Sequence, residues 1–181
     1  MTRIRTAVSA ALTIAALSIA QPAFAGPPLL CFPFEIGSAR SLPMGTGGWK
    51  TVDATYDVAQ LVDDTLALLT PQTPVIVRME TLRRATVYAS THPAIASALL
   101  DALRTRASKP DAHAALAVFD FGYLVETYKE AGYIFTKPVA GIDVIDGYQL
   151  VLKAEAMQRD AQMGRAAQLI LDGRPRSTAV K

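Results

Sequence analysis

Prolines divide this chain into segments of helical periodicity, and that division constrains the fold more than any other feature of the sequence. Pro71 and Pro74 end one apolar stripe, and Pro93 and Pro110 interrupt the chain twice more. Between these breaks, apolar residues recur three or four positions apart, the spacing that places them on one face of an α-helix. Proline is tolerated in the first turn of a helix but not in its interior. The pattern therefore predicts short helices joined by tight connections.

The apolar stripes predict five helices, which span about 53–69, 74–90, 93–107, 112–131 and 148–171. Residues that suit helix ends lie at their borders: N-caps at Thr73, Thr91 and Asp111, and a C-terminal glycine at Gly132. The chain shows no convincing strand. We expect a mainly α fold, in which about five helices pack as antiparallel hairpins. Both a bundle and a short array resembling tetratricopeptide repeats are compatible with this pattern.

The helices form one predicted domain, residues 53–173, with irregular segments on both sides. Residues 26–37 contain three prolines, and the glycines Gly45, Gly47 and Gly48 follow. Prolines and glycines disfavour a helix, so we expect residues 26–52 to form an extended N-terminal strap packed on the helices. Residues 174–181 are predicted to be a flexible tail.

The first 25 residues have the order of a secretory signal peptide. Arg3 and Arg5 give a basic start, residues 7–20 are uncharged and mostly apolar, and Ala23 and Ala25 suit a cleavage site. The apolar run is too short to cross a bilayer as a helix. The sequence therefore predicts cleavage after Ala25 and a periplasmic or extracellular protein, with no membrane span in the mature chain.

Charge and cysteine content restrict the partners. The chain has 18 basic and 16 acidic residues, and removal of Arg3 and Arg5 makes the two numbers equal. A domain with equal numbers of basic and acidic residues lacks the net positive charge that nucleic-acid binding requires, so a protein is the expected partner. Cys31 is the only cysteine, which excludes an intramolecular disulfide.

Three residues are candidates for contact with a cofactor or other ligand of unknown identity. Cys31 lies in the strap and is interpreted as a half-buried thiol, with a nucleophile, a ligand or an intermolecular bridge as alternatives. Phe119 and Tyr123 share a face of the helix 112–131, which is either core or the wall of a ligand groove. No catalytic residue and no metal ligand is assigned, because the chain has two histidines and no metal-binding motif.

Two pairs of charged residues have helical spacing. Glu80 and Arg84 are four residues apart in the favourable order for a surface ion pair. Glu126 and Glu130 are also four apart on one helix face, where carboxylates could contribute to a metal site inside a helix bundle, but a solvated face explains them as well. We expect both pairs to lie at the surface.

One segment resembles a family of secreted bacterial proteins. Residues 26–37 read GPPLLCFPFEIG, and residues 39–43 read ARSLP. These segments, with residues 64–71 and 75–84, are similar to members of that family, which has no known activity. The resemblance implies no function. The signal peptide and the composition, which is rich in alanine and arginine, fit a bacterial source with a periplasm. Relatives often carry histidine at the position of Phe32, so this chain lacks their Cys–His pair.

Three functions remain open from the sequence. The first is a secreted or periplasmic helical module that binds a protein partner. The second is a small-molecule or cofactor binder that uses the aromatic helix 112–131 and the strap around Cys31. The third is an enzyme with a dispersed site, which no motif in the chain indicates. The fold class does not choose among them, because function depends on particular sites.

Overall fold

The computed structural model describes residues 29–135 and 138–173, so the predicted signal peptide and tail lie outside these ranges. Within them, six α-helices follow a short 3₁₀ turn at Val58–Gln60: α1 (Leu61–Leu68), α2 (Val75–Ala89), α3 (Pro93–Ala107), α4 (Ala114–Phe135), α5 (Gly147–Met157) and α6 (Ala161–Gly173). The described residues contain no β-strand. The prediction of a mainly α fold built from packed helices is confirmed.

Helices α2 and α4 form the centre of the molecule. Thirteen of the fifteen residues of α2 are buried, and so are sixteen of the twenty-two residues of α4. Helix α4 packs against α2, α3 and α5, while α1 packs on α2 and α3 and α6 packs on α5 and α2. Burial of a large apolar side chain contributes about 1.5–3 kcal/mol. The core is therefore built mainly around this central pair.

Two glycines allow α4 and α5 to approach closely. A Cβ atom added to Gly122 of α4 would lie 2.7 Å from the Cβ of Leu150 and 2.8 Å from the carbonyl oxygen of Gly147. A Cβ atom added to Gly147 would lie 2.5 Å from the carbonyl oxygen of Gly122. These separations are shorter than van der Waals contact, so only glycine fits at either position.

Helix α1 is shorter than the helix that the apolar stripe over residues 53–69 predicts. The prediction of a helix from residue 53 is wrong, because α1 begins at Leu61. Asp53 instead accepts hydrogen bonds from the N–H and the hydroxyl of Thr55, at 2.8 and 2.7 Å. Asp57 then caps the 3₁₀ turn by accepting the N–H of Ala59 at 3.0 Å. Such side-chain bonds to nearby backbone compete with helix formation.

The last predicted helix is two helices. Gln158 has an extended backbone, with φ −141° and ψ 106°, and it ends α5. The Asp160 carboxylate accepts the N–H groups of Gln162 and Met163, at 2.7 and 3.4 Å, and this capping begins α6. The prediction of one helix over 148–171 is therefore wrong at residues 158–160.

Some of the predicted helix ends also differ. The Thr73 hydroxyl donates to the carbonyl of Leu68 at 2.7 Å and does not cap α2. His92, and not Thr91, occupies the N-cap position of α3. Gly132 does not end α4, which continues to Phe135, because glycine costs only about 1 kcal/mol inside a helix. The Asp111 carboxylate accepts the N–H of His113 at 2.6 Å, just before α4 begins.

Residues 29–52 contain neither helix nor strand and lie against α2 and α4. Leu29, Leu30 and Leu42 are at most 1 % exposed and belong to the core. Because these side chains are buried on the central helices, the backbone that carries them is held close to polar groups of α2 and α4. Those polar groups define the candidate site.

Candidate functional site

Three charged residues of α2 form a group that we call the anchor cluster: Glu80 and Arg83, which are buried, and Arg84, which is half-buried. Glu80 is fully buried and pairs with Arg83 Nε at 2.8 Å and with Arg84 Nε at 2.6 Å. The prediction of a surface pair is therefore wrong. Burial alone would raise the pKa of Glu80, but hydrogen bonds and positive charge from the two arginines hold that pKa below its ordinary value.

The anchor cluster bonds to the main chain of the N-terminal segment. The Glu80 carboxylate accepts the N–H of Phe34 at 3.0 Å. The two guanidinium groups donate to carbonyl oxygens at 2.6 to 3.2 Å, namely those of Leu30, Leu42 and Trp49. Charge-assisted hydrogen bonds of this kind are stronger than neutral ones. Residues 30–49 are thus held by α2 at several points.

A groove lies between residues 39–43 on one side and α1 with the α1–α2 connection on the other. Its volume is about 530 Å³. Leu42, Leu68 and Val77 give it an apolar floor, and Arg40 and Asp64 stand among the polar residues that line it. No described residue accepts the main-chain N–H of Arg40. An apolar floor with a polar rim is typical of binding sites.

Two arginines hold the other wall of the groove. Arg78 Nε donates to the carbonyl of Thr73 at 3.0 Å, and Arg78 Nη2 donates to the carbonyl of Thr70. Arg106 donates in the same way to the carbonyl of Leu69. Both Thr70 and Thr73 line the groove. The α1–α2 connection is therefore fixed by guanidinium groups from α2 and α3.

Asp120 of α4 is the acidic partner of Arg78. Its Oδ2 lies 2.6 Å from Arg78 Nη1, and both side chains are buried. Its Oδ1 is buried and has no hydrogen-bond partner in the described part of the chain. Burial raises the pKa of Asp120 to about 6, although Arg78 and Arg106 act in the opposite direction.

A second opening, which we call the α4–α6 cavity, lies near the ends of α4 and α6. Its volume is about 330 Å³, and Leu29 and Glu130 are among its lining residues. Glu126 and Glu130 are 6 % and 9 % exposed, so the prediction of a solvated pair is wrong. The Glu130 carboxylate accepts the N–H of Leu29 at 3.0 Å. Burial is the main cause that raises the pKa of Glu130 to about 8.

The three residues singled out in the sequence lie close to these features without lining either opening. Cys31 is half-buried, and burial, with a smaller effect of Glu130, raises the pKa of its thiol. Phe119 and Tyr123 are fully buried and stack with ring centroids 5.7 Å apart. The Tyr123 hydroxyl has no hydrogen-bond partner among the described residues, and burial raises its pKa well above the ordinary value.

In residues 29–135 and 138–173, no group of three or more histidine, cysteine, aspartate or glutamate side chains could hold a metal ion. In the same ranges, no helix combines the length and the apolar character needed to cross a bilayer. Comparison of the chain with protein-family models, with curated proteins and with solved structures gave no match.

Proposed function

We propose that this chain is an exported helical binding module that takes an extended segment of a protein partner in the groove. The groove itself carries the proposal, because its apolar floor lies beside main-chain residues 39–43, where the N–H of Arg40 has no acceptor among the described residues. An extended peptide forms main-chain hydrogen bonds to such a segment and places alternate side chains into the floor. A volume of about 530 Å³ suits a few peptide side chains.

Both walls of the groove are held before any partner arrives. On one wall, the Ser41 hydroxyl lies 3.0 Å from that of Thr81, and the carbonyl of Pro43 accepts the Tyr88 hydroxyl at 2.9 Å. On the other wall, Arg78 holds the α1–α2 connection. A preformed site loses less conformational entropy on binding than a mobile one. Fixed walls therefore favour recognition of a particular segment.

The class of partner follows from charge and from the predicted export. Cleavage after Ala25 would leave equal numbers of basic and acidic residues, which gives no general attraction to nucleic acid. Arg40 and Asp64 place one positive and one negative side chain in the groove lining. Such mixed charge suits a peptide with both polar and apolar side chains.

The test uses random peptides displayed on phage and selected on the purified protein. Ala67 is an exposed residue of α1 in the groove lining, and Ala98 is an exposed residue on α3 away from it. Ala67→Arg would place a long charged side chain in the groove, whereas Ala98→Arg is the matched control. We expect selected peptides to bind at least about tenfold more weakly to Ala67→Arg, a loss of about 1.4 kcal/mol. Failure to select peptides, or equal affinity for both variants, would refute the proposal.

A further inference from the structure

Glu130 carries a buried carboxyl group that forms no ion pair with any residue in the described part of the chain. Glu130 is 9 % exposed, and its two carboxyl oxygens accept the N–H of Leu29 at 3.0 and 3.3 Å. The other buried acidic residues of the described chain pair with arginine or lysine: Glu80, Asp120 and Glu126. A buried charge is strongly unfavourable unless an opposite charge accompanies it. Without a counter-ion among the described residues, the carboxyl group of Glu130 is expected to keep its proton, and a positive group bound beside it would stabilise the ionised form.

The α4–α6 cavity gives such a group room and a matching surface. Its charged lining is mostly acidic, with one lysine: Glu126, Lys129, Glu130, Asp143 and Asp146. Lys129 is not the counter-ion of Glu130, because its ammonium group lies 2.8 Å from Glu126 Oε1 and 2.6 Å from the carbonyl oxygen of Ile145. Leu29, Val144 and Ile170 supply apolar wall. The cavity therefore combines a buried carboxyl group, which a bound cation would ionise, with apolar surface for a short carbon chain.

We propose that the α4–α6 cavity binds a primary ammonium group, with Glu130 as its counter-ion. A metal ion is a poorer occupant, because no group of three metal-ligating side chains exists in the described ranges. A guanidinium group is also less suitable. The Leu29 N–H already faces both oxygens of Glu130, which obstructs the bidentate approach that a planar guanidinium prefers. An ammonium is a compact point charge and needs only one free oxygen lone pair.

The ammonium has two chemical sources. One is a free small amine. The other is the α-amino group of Gly26, which would exist if the chain is cut after Ala25. Gly26 is three positions before Leu29 in the sequence, and a fully extended chain spans only about 10 Å over three residues, so that amino group is within reach of a residue that lines the cavity. This site is separate from the groove, and its test does not depend on peptide binding there.

Proton release should accompany binding. The pKa of Glu130 is raised to about 8, first by burial and also by Glu126, so the empty site holds a proton at neutral pH. An ammonium favours the ionised carboxylate, and affinity should therefore increase from pH 6.5 to pH 8.5. The other titratable or charged side chains around Glu130 come from the N-terminal segment, α2, α4 and the α4–α5 connection: Cys31, Glu80, Arg83, Tyr123, Glu126, Lys129, Tyr133, Asp143 and Asp146.

The experiment is calorimetric titration of the exported protein with 1-butylamine hydrochloride, with 1-butanol as the uncharged counterpart at equal ionic strength. The protein is titrated as purified and again after selective transamination of its α-amino group, which removes that charge. Glu130→Gln keeps a hydrogen-bond acceptor for Leu29 and removes the anion. Asp143→Asn removes an exposed cavity carboxylate and leaves the buried one intact. Glu35→Gln, at an exposed position, is the matched control.

We expect saturable binding of the amine and none of the alcohol. Glu130→Gln should weaken binding at least about tenfold, Asp143→Asn should weaken it less, and Glu35→Gln should leave it unchanged. Binding to the untreated protein identifies a free amine as the occupant. Binding that begins only after transamination identifies the α-ammonium of the chain itself. Absence of binding in both forms, or equal affinity in Glu130→Gln, would overturn the proposal.

Discussion

Arg83 and Glu80 lie one turn apart on α2 and form a buried ion pair, with Nε 2.8 Å from Oε2. Each partner also bonds to the main chain of the N-terminal segment, Glu80 to the N–H of Phe34 and Arg83 to the carbonyls of Leu30 and Trp49. The pair therefore determines where residues 30–49 lie. Those residues include 39–43, which form one wall of the groove. The ion pair therefore helps to position the proposed binding site, although neither partner lines it.

Replacement of Arg83 by methionine should destabilise the protein by about 3–5 kcal/mol, because Glu80 would remain buried without its main partner. Urea unfolding at neutral pH measures the loss. Arg104→Met is the matched control, since Arg104 pairs with Asp101 at the surface, where such pairs contribute at most about 1 kcal/mol. A similar small loss in both variants would contradict the role given to Arg83.

The contact between α4 and α5 can be tested at Gly122. Gly122→Ala should destabilise the protein by about 1–3 kcal/mol, because the added methyl meets the backbone of α5, including the carbonyl of Gly147 at 2.8 Å. Gly164→Ala in α6 is the control, since nothing lies within 4 Å of its added methyl. That variant should gain about 0.5–1 kcal/mol from helix propensity. Thermal unfolding of both variants gives the comparison, and a stable Gly122→Ala would mean that α4 and α5 can separate.

The helices were predictable where local chemistry decides them. Pro93 begins α3, and apolar periodicity places α2 and most of α4 correctly. The division of 148–171 was missed because the alanines continue through it, although Asp160 carries a capping preference that could have indicated the break. The late start of α1 depends on side-chain bonds of Asp53 and Asp57, which periodicity does not register.

The candidate site was much less predictable. Glu80 and Glu130 have the spacing of solvated helix residues, and their burial depends on main-chain groups 46 and 101 residues away along the chain. No local pattern encodes a partner at that distance. The spacing of Phe119 and Tyr123 predicts either core or the wall of a ligand groove, and both side chains are buried in the core. A binding surface formed by an irregular segment such as 39–43 has no periodic signature at all.

Tyr123 offers a test of an unsatisfied buried hydroxyl. Its hydroxyl has no partner among the described residues, so Tyr123→Phe should leave stability unchanged or raise it by about 1 kcal/mol. Tyr88→Phe is the matched control, because the Tyr88 hydroxyl donates to the carbonyl of Pro43 and accepts the N–H of Asp53. The control should lose about 1–3 kcal/mol in urea unfolding. A large loss in Tyr123→Phe would show that the hydroxyl has a partner, such as a bound water.

Export can be tested from the mass of the secreted chain. Expression with the native first 25 residues in a bacterium with a periplasm should give an intact mass that begins at Gly26. Leu17→Arg places a charge in the apolar run and should leave the precursor uncut in the cytoplasm, whereas Leu17→Ala should be processed normally. A periplasmic product that still begins at Met1 would contradict the predicted cleavage.

Asp120 should make the stability of the protein fall as the pH rises. Its pKa is about 6 in the folded chain, raised by burial against the opposing effect of Arg78, and 3.8 in the unfolded chain. Below about pH 4, both states hold the proton. Between about pH 4 and 6, the folded state keeps a proton that the unfolded state has lost, so the free energy of unfolding decreases as pH rises. The total decrease is on the order of 3 kcal/mol, and it is complete once the pH is well above 6.

Urea unfolding of the wild type and of Asp120→Asn between pH 4 and pH 8 isolates this effect, because asparagine does not titrate. Glu130 also lowers the free energy of unfolding as the pH rises, but over a higher pH range, because its pKa is raised from 4.5 to about 8. Both the wild type and Asp120→Asn contain Glu130. Its contribution therefore cancels in the difference between them. The stability advantage of the wild type over Asp120→Asn should be greatest near pH 4 and should shrink through pH 6. A difference that stays constant with pH would mean that Asp120 keeps an ordinary pKa, with Arg78 neutralising the effect of burial.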